Sequence, residues 1–207
     1  PAGRKIINME SATLTDLLLK EAWQVRQANF SFAVEFVYPH KTLTVRTTGE
    51  DCPLNCSHCG GHYLKSMMPL EKALNKDCQE KSFLLSGNCS KKGQIPHFEK
   101  WGEIQNLAAK GNLNFHTGLV DEKEAQIIGG LAKVVSFDYL ADKETIKDVY
   151  GLEATPQDYI LSYRALKKYT QVVPHLCIGI NRGQVKGEYT ALEILKEEGV
   201  EALSLIV

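Results

Sequence analysis

Thr42-Leu-Thr-Val-Arg-Thr47 runs within a few residues into Cys52-Pro-Leu-Asn-Cys56-Ser-His-Cys59, and this stretch decides the fold. Its first part alternates and is rich in β-branched residues, the pattern of a strand. Its second part is a loop carrying three cysteines spaced Cys-x3-Cys-x2-Cys. A strand followed at once by side chains that can hold a metal is a unit worth following along the chain.

Working outward, the same unit recurs. Met67 to Asn75 reads as helical, and Phe83-Leu84-Leu85 as a strand ending at Ser86-Gly87. Pro96 to Lys110 reads as a helix with proline at its start. Asn112 to His116 is strand-like and is stopped by Thr117-Gly118. Asp121 and Glu122 suit the acidic first turn of a helix reaching about Lys133. Val134 to Phe137 is a strand that ends at Asp138. Thr155 is suited to cap a helix through Lys168, with Pro156 in its first position. His175 to Ile180 is a strand, Glu188 to Glu197 a helix, and Ala202 to Val207 a last strand.

Six strands alternating with helices about every 25–30 residues favour parallel pairing with crossover helices. A closed or partly closed barrel and an open doubly wound sheet both fit that alternation. Ligand-capable residues stand at nearly every strand end: the cysteine loop, Ser86-Gly87-Asn88, His116, Asp138 and Cys177. Barrel strand ends converge on one mouth, whereas open-sheet ends spread along an edge, so the expected fold is α/β, a partial TIM-type (β/α)6 barrel. The barrel is assigned to residues 41–207, and residues 1–40 to an N-terminal extension. In that extension Leu14, Leu17, Leu18 and Trp23 mark an amphipathic helix from about Ile6 to Phe30, and Phe32 to Tyr38 reads as a strand ended by Pro39. The sequence stops on apolar Leu205-Ile206-Val207, which leads to the expectation of a C-terminal continuation.

The 207 residues carry a net charge of -1 with both signs interspersed, so no basic field awaits nucleic acid. No apolar run approaches the roughly 18 residues a membrane span needs, and no secretory signal is evident, so the expected location is cytoplasmic. In a reducing compartment the six cysteines are better suited to metal or cluster ligation than to disulfides. Three thiolates in one short loop can wrap a corner of a [4Fe–4S] cluster and leave the fourth iron for a small molecule, whereas ordinary electron-transfer clusters take four cysteines. Zinc is the alternative: Cys52, Cys56, Cys59 and His62 have the spacing of a Cys3His site. The other ligand-capable strand ends favour the cluster.

From Thr42 onward the motif and its surroundings resemble the radical SAM superfamily. The resemblance implies that Cys52, Cys56 and Cys59 bind a [4Fe–4S] cluster and that S-adenosylmethionine chelates its open iron. It further implies reductive cleavage to a 5′-deoxyadenosyl radical that abstracts hydrogen, with electrons from a donor such as ferredoxin or flavodoxin. For the cofactor it implies His58 beside the last cysteine and Ser86, Gly87 and Asn88 at the methionine amino group. Asp138, helped by Ser136, falls at the ribose, Arg164 at the methionine carboxylate, and Ile178 and Gly179 at the adenine. Taken singly, Arg164 also reads as a surface charge, Asp138 as a turn cap and Ile178 as core.

Cys89, His116 and Cys177 stand at strand positions resembling those that bind a second iron–sulfur cluster in biotin synthase, although His116 departs from cysteine. A lone strand cysteine is otherwise a small buried hydrophobe. Cys78 reads as incidental, and His40, His62, His97 and His175 receive no functional role. Phe83 to Cys89, Asn114 to Val120, Ser136-Phe-Asp138 and Val149 to Leu152 together resemble one subunit of the two-protein, archaeal-type lipoyl synthase. That implies sulfur insertion into a protein- or peptide-bound octanoyl chain, with a second radical SAM subunit as partner. Another radical SAM reaction, such as cofactor maturation or a carbon-skeleton rearrangement, and a non-enzymatic zinc-binding scaffold remain as alternatives.

Overall fold

A computed structural model describes residues 2–33, 35–38, 41–54, 56–76 and 81–207, with side chains from residue 15 onward. Cys78, Pro39 and His40, and the side chain of Leu14, lie outside the described residues. The chain divides into two compact units, Pro1–Pro39 and His40–Val207.

The first unit holds one long helix, α1 (Ala2–Asn29), as the apolar spacing anticipates. The strand expected from Phe32 to Tyr38 does not form: residues 31–33 and 35–38 adopt no strand. β-branched and aromatic residues raise strand propensity, but a strand needs a neighbour to satisfy its backbone groups.

The second unit is a parallel sheet. Its strands are β1 (Thr42–Arg46), β2 (Met68–Pro69), β3 (Ser82–Ser86), β4 (Asn112–His116), β5 (Ala132–Asp138), β6 (Val172–Cys177) and β7 (Ser204–Ile206), in the spatial order β2-β1-β3-β4-β5-β6-β7. The intervening helices are α2 (His62–Ser66), α3 (Leu70–Asn75), α4 (Trp101–Ala108), α5 (Glu122–Gly129), α6 (Lys143–Asp148), α7 (Pro156–Leu166) and α8 (Glu188–Glu197). Apart from the two-residue β2, spatial order follows chain order. Right-handed crossovers in an order that never reverses put successive helices on the same side of the sheet. The other side is left to form the concave wall of a partial barrel. The six strands read from the sequence are all present, and the sheet is open between β2 and β7.

Alternation along each strand separates two chemistries. Val45, Phe83, Leu85, Leu113, Phe115, Val135, Phe137 and Leu176 are almost wholly buried in the main core. Ile104 and Leu107 of α4, Ala125 and Ile128 of α5, Leu166 of α7 and Leu195 of α8 complete that core. Helix starts are fixed locally. Asp121 and Glu124 form a reciprocal capping box on α5, and Asp142 accepts from the Thr145 amide at 2.7 Å on α6. At α7 the Asp158 carboxylate accepts from both the amide and the hydroxyl of Thr155, at 2.7 Å each.

One buried polar strut ties the residue after β1 to the end of β4. His97, only 1% exposed, places Nδ1 3.1 Å from the Thr47 hydroxyl and Nε2 3.4 Å from the His116 carbonyl. Burial lowers its pKa to about 4, although the bond to the His116 carbonyl acts the other way. The folded protein therefore binds fewer protons than the unfolded chain between about pH 4 and 6.5. The stability that His97 supports is complete above about pH 6.5 and falls with acidification, by up to about 3 kcal/mol near pH 4. Urea unfolding of wild type and His97→Gln between pH 7 and 4.5 measures this: the stability difference between them should shrink with acidification, and a constant difference contradicts it.

Candidate active site

The C-terminal ends of the strands open onto a cavity of about 460 Å³. Cys52, Cys56, His58 and Cys59 of the loop after β1 line it, with Ser86 at the end of β3, Gly87 and Cys89 after it, His116 at the end of β4, Asp138 at the end of β5, and His175 and Cys177 on β6. Leu54, Leu84, Leu119, Leu152 and Ile206 give it apolar walls.

The cysteine loop is held by its own backbone. Cys59 and Gly60 both donate their amides to the Cys56 carbonyl, at 3.0 and 2.8 Å, and Ser57 donates to the Val149 carbonyl at 3.1 Å. His58 packs on Tyr150 with ring centroids 4.7 Å apart, and burial lowers its pKa while Asp138 acts in the opposite sense. Cys52, Cys56, Cys59, Cys89 and Cys177 are all free thiols. Burial, then the neighbouring Cys52 and Cys59 sulfurs, pushes Cys56 up to about 11.

Two thiolates on one zinc ion stand only about 3.8 Å apart, given Zn–S bonds of about 2.3 Å. Among the described residues the only three candidate ligand atoms within 4.8 Å of one another belong to His116, Asp138 and His175, so the cysteine sulfurs do not close on a single ion. His62 turns Nδ1 to the Cys59 carbonyl and packs on Tyr63 at 4.1 Å, and it is not among the described residues whose ligand atoms converge, so the Cys3His zinc arrangement is not assembled. Three free thiols spread along one cavity wall fit the corner of a larger iron–sulfur cluster, and the cavity beside them can take a ligand of that cluster.

The other expected residues divide. Ser86 and Gly87 line the cavity. A Cβ at Gly87 would meet Thr48 and Ile95 at 2.9–3.0 Å, so glycine lets the loop after β1 lie against β3. Asn88 faces that loop instead, its amide donating to Thr48 Oγ1 at 2.7 Å and its side chain to the Asp51 carbonyl at 2.9 Å. Ser136 is buried and bonded to Asn114, whose Nδ2 donates to its hydroxyl at 3.1 Å. Ile178 packs against the core, and Gly179 donates its amide to Glu188 at 2.7 Å; neither lines the cavity.

Arg164 is not brought to the cavity. It donates to Glu198 at 2.7 and 2.9 Å with its side chain 53% exposed, because its position on α7 faces α8 and not the strand ends. The three residues expected at a second cluster line one cavity but face different neighbours. The Cys52 sulfur lies 4.0 Å from the Cys89 carbonyl, and burial followed by Cys52 and Cys56 raises Cys89 to about 12. Burial and then Asp138 raise Cys177 to about 11, and Tyr150 lies beside it.

His116 is committed elsewhere. Its Nε2 is 3.3 Å from Asp138 Oδ1, and His175 Nδ1 is 3.6 Å from the same oxygen. Burial works against the Asp138 charge, but the two imidazoles outweigh it and hold the carboxyl far below the usual carboxylate range. Burial likewise opposes charge on His116, and Asp138 overcomes it to raise that pKa. Asp138 therefore already has partners where a ribose was expected. His175 received no role from the sequence. Its signal was the strand period, since it lies two residues before Cys177 on the same face.

No protein-family model and no curated protein matches the sequence. Solved structures do. Native anSMEcpe with bound AdoMet aligns with 80% of this chain and 50% of its own at 17% identity, with a TM-score of 0.53. Methylornithine synthase, PylB, aligns with 82% of this chain and 56% of its own at 12% identity and a TM-score of 0.50. The chain thus spans about half the length of the structures it matches. The likeness defines the fold, a parallel partial barrel of the kind seen in both.

The loops after β3 and β4 close one side of the cavity where Gly118 meets Gly93. A Cβ at Gly118 would lie 2.0 Å from the Gly93 carbonyl oxygen. Gly118→Ala should therefore cost about 1–3 kcal/mol in urea unfolding, and an unchanged midpoint contradicts the close approach.

Proposed function

We propose that the chain is the barrel of a radical SAM enzyme in which Cys52, Cys56 and Cys59 hold a [4Fe–4S] cluster and S-adenosylmethionine occupies the adjoining cavity. The observation that carries this reading is three free thiols on one cavity wall that do not close on a single ion. Support comes also from the shared fold with a structure described as having bound AdoMet. When bound, the cluster and S-adenosylmethionine supply a 5′-deoxyadenosyl radical able to take hydrogen from an unactivated C–H bond. The chain's own residues position and shield. His58, in the cysteine loop, packs at a tilt against Tyr150; Ser86 and Gly87 offer a hydroxyl and a close backbone approach; Leu119 and Leu152 exclude water.

The finer reading is sulfur insertion into a protein- or peptide-bound octanoyl chain, in the manner of a lipoyl synthase subunit working with a second radical SAM subunit. The apolar walls Leu54, Leu84, Leu119, Leu152 and Ile206 suit a saturated acyl chain. Cys89 and Cys177 are the free thiols available in the same cavity to anchor a sulfur-donating cluster.

Anaerobic reconstitution followed by reduction with S-adenosylmethionine tests the first reading. Wild type should release 5′-deoxyadenosine, and Cys56→Ala should release none; no product from iron-loaded wild type contradicts it. For the finer reading, iron should fall from about eight to about four per chain in Cys89→Ser/Cys177→Ser. About four in both proteins removes the sulfur-donating cluster.

A further inference from the structure

The cluster reading leaves His116, Asp138 and His175 without a purpose, although they are the tightest group of ligand atoms among the described residues. His116 and Asp138 end β4 and β5, and His175 lies two residues before the end of the neighbouring β6, paired in register with Asp138. All three line the cavity. Both imidazoles aim at the same carboxylate oxygen, Asp138 Oδ1, from 3.3 and 3.6 Å.

As hydrogen bonding alone this arrangement is poor, because a contact of 3.6 Å is too long to be one. As ligand spacing the two contacts to Asp138 are good, and all three ligand atoms lie within 4.8 Å of one another, close enough for side-chain rotation to bring them onto one ion. Two ligands bound at about 2.1 Å to one ion stand about 3.0 Å apart in octahedral geometry and about 3.4 Å apart in tetrahedral geometry. The outer contacts also suit a ligand histidine. His116 presents Nε2 to the group while Nδ1 lies 3.4 Å from the Ser86 hydroxyl, an arrangement that fixes which nitrogen faces the ion. The carbonyl of His116 is in turn held by the buried His97.

We infer that His116, Asp138 and His175 bind one divalent first-row metal ion at the cavity wall. Imidazole and carboxylate donors suit Zn2+, Fe2+, Co2+ or Mn2+. Three protein ligands leave further coordination positions, and because the residues line the cavity those positions open to its occupant. The ion accepts an oxygen donor there, such as a carboxylate or carbonyl of the bound molecule. His116 is then a ligand of this ion and not of a second cluster. The site does not depend on the cysteine loop.

The test is Co2+ titration of the full chain carrying Cys52→Ser, Cys56→Ser and Cys59→Ser, so that the outcome is separate from that of the radical chemistry. One Co2+ per chain, with nitrogen and oxygen ligand-field bands and no thiolate charge-transfer band, is expected. His175→Ala should weaken uptake about 100-fold or more, and Ser86→Ala about tenfold. Asp138→Asn, which is nearly isosteric, should match His175→Ala and guards against a folding artefact, with circular dichroism confirming the fold. Absence of stoichiometric uptake, a thiolate band, or unchanged affinity in both His175→Ala and Asp138→Asn overturns the site.

Discussion

The two-residue pleat of a sheet whose strands all run the same way is the constraint on which the rest of the structure depends. It assigns Phe83, Leu85, Phe115, Val135 and Leu176 to the buried core and sends Ser86, His116, Asp138 and Cys177 to the cavity. A shift of one residue in any strand would exchange those sets and bury a polar or charged group without a partner. The core therefore enforces the register, and the register gathers the chemistry. Because spatial order follows chain order from β3 to β7, the gathered residues share one face and do not divide across a sheet with helices on both sides.

Electrostatics then differentiates the mouth into two neighbourhoods. On the β1 and β3 side the charge-capable groups are partly buried thiols, with Cys56 raised to about 11 and Cys89 to about 12, whose protons would have to leave for a metal to bind. On the β4 to β6 side a carboxylate held far below its usual range lies between two imidazoles. The β1 and β3 side offers thiols alone, whereas the β4 to β6 side offers nitrogen and oxygen donors with the Cys177 thiol beside them, and such donor sets are suited to different metals. Tyr150 stands between them: its ring packs on His58, its carbonyl lies 3.5 Å from the Cys56 sulfur, and its hydroxyl lies beside Cys177.

The sheet was legible because each main strand is an apolar or β-branched run closed by a turn or a ligand-capable residue, and because caps such as Thr155-Pro156 mark the helix starts. What escaped was short or depended on partners. β2 is two residues between two brief helices, and α6 is six largely polar residues anchored by Asp142. Phe32 to Tyr38 has strand-forming residues but gains no neighbouring strand, so propensity alone misled. Arg164 looked like a carboxylate fork in sequence, yet the facing of α7 gives it Glu198. His175 has no motif to mark it in the sequence, because its meaning arises only when β5 and β6 pair and bring it beside Asp138. The cysteine spacing is visible in the sequence; the partners of Asp138 could not be read without the register.

The central claim is that three thiolates leave one iron of a cluster open to the cavity. Mössbauer spectroscopy of protein reconstituted anaerobically with isotopically enriched iron reads that iron directly. The account predicts one iron of each cluster on the cysteine loop whose signal changes when S-adenosylmethionine is added, while the other three stay as they were. A spectrum indifferent to S-adenosylmethionine, or a protein that takes up zinc at the cysteine loop and no iron, would contradict it.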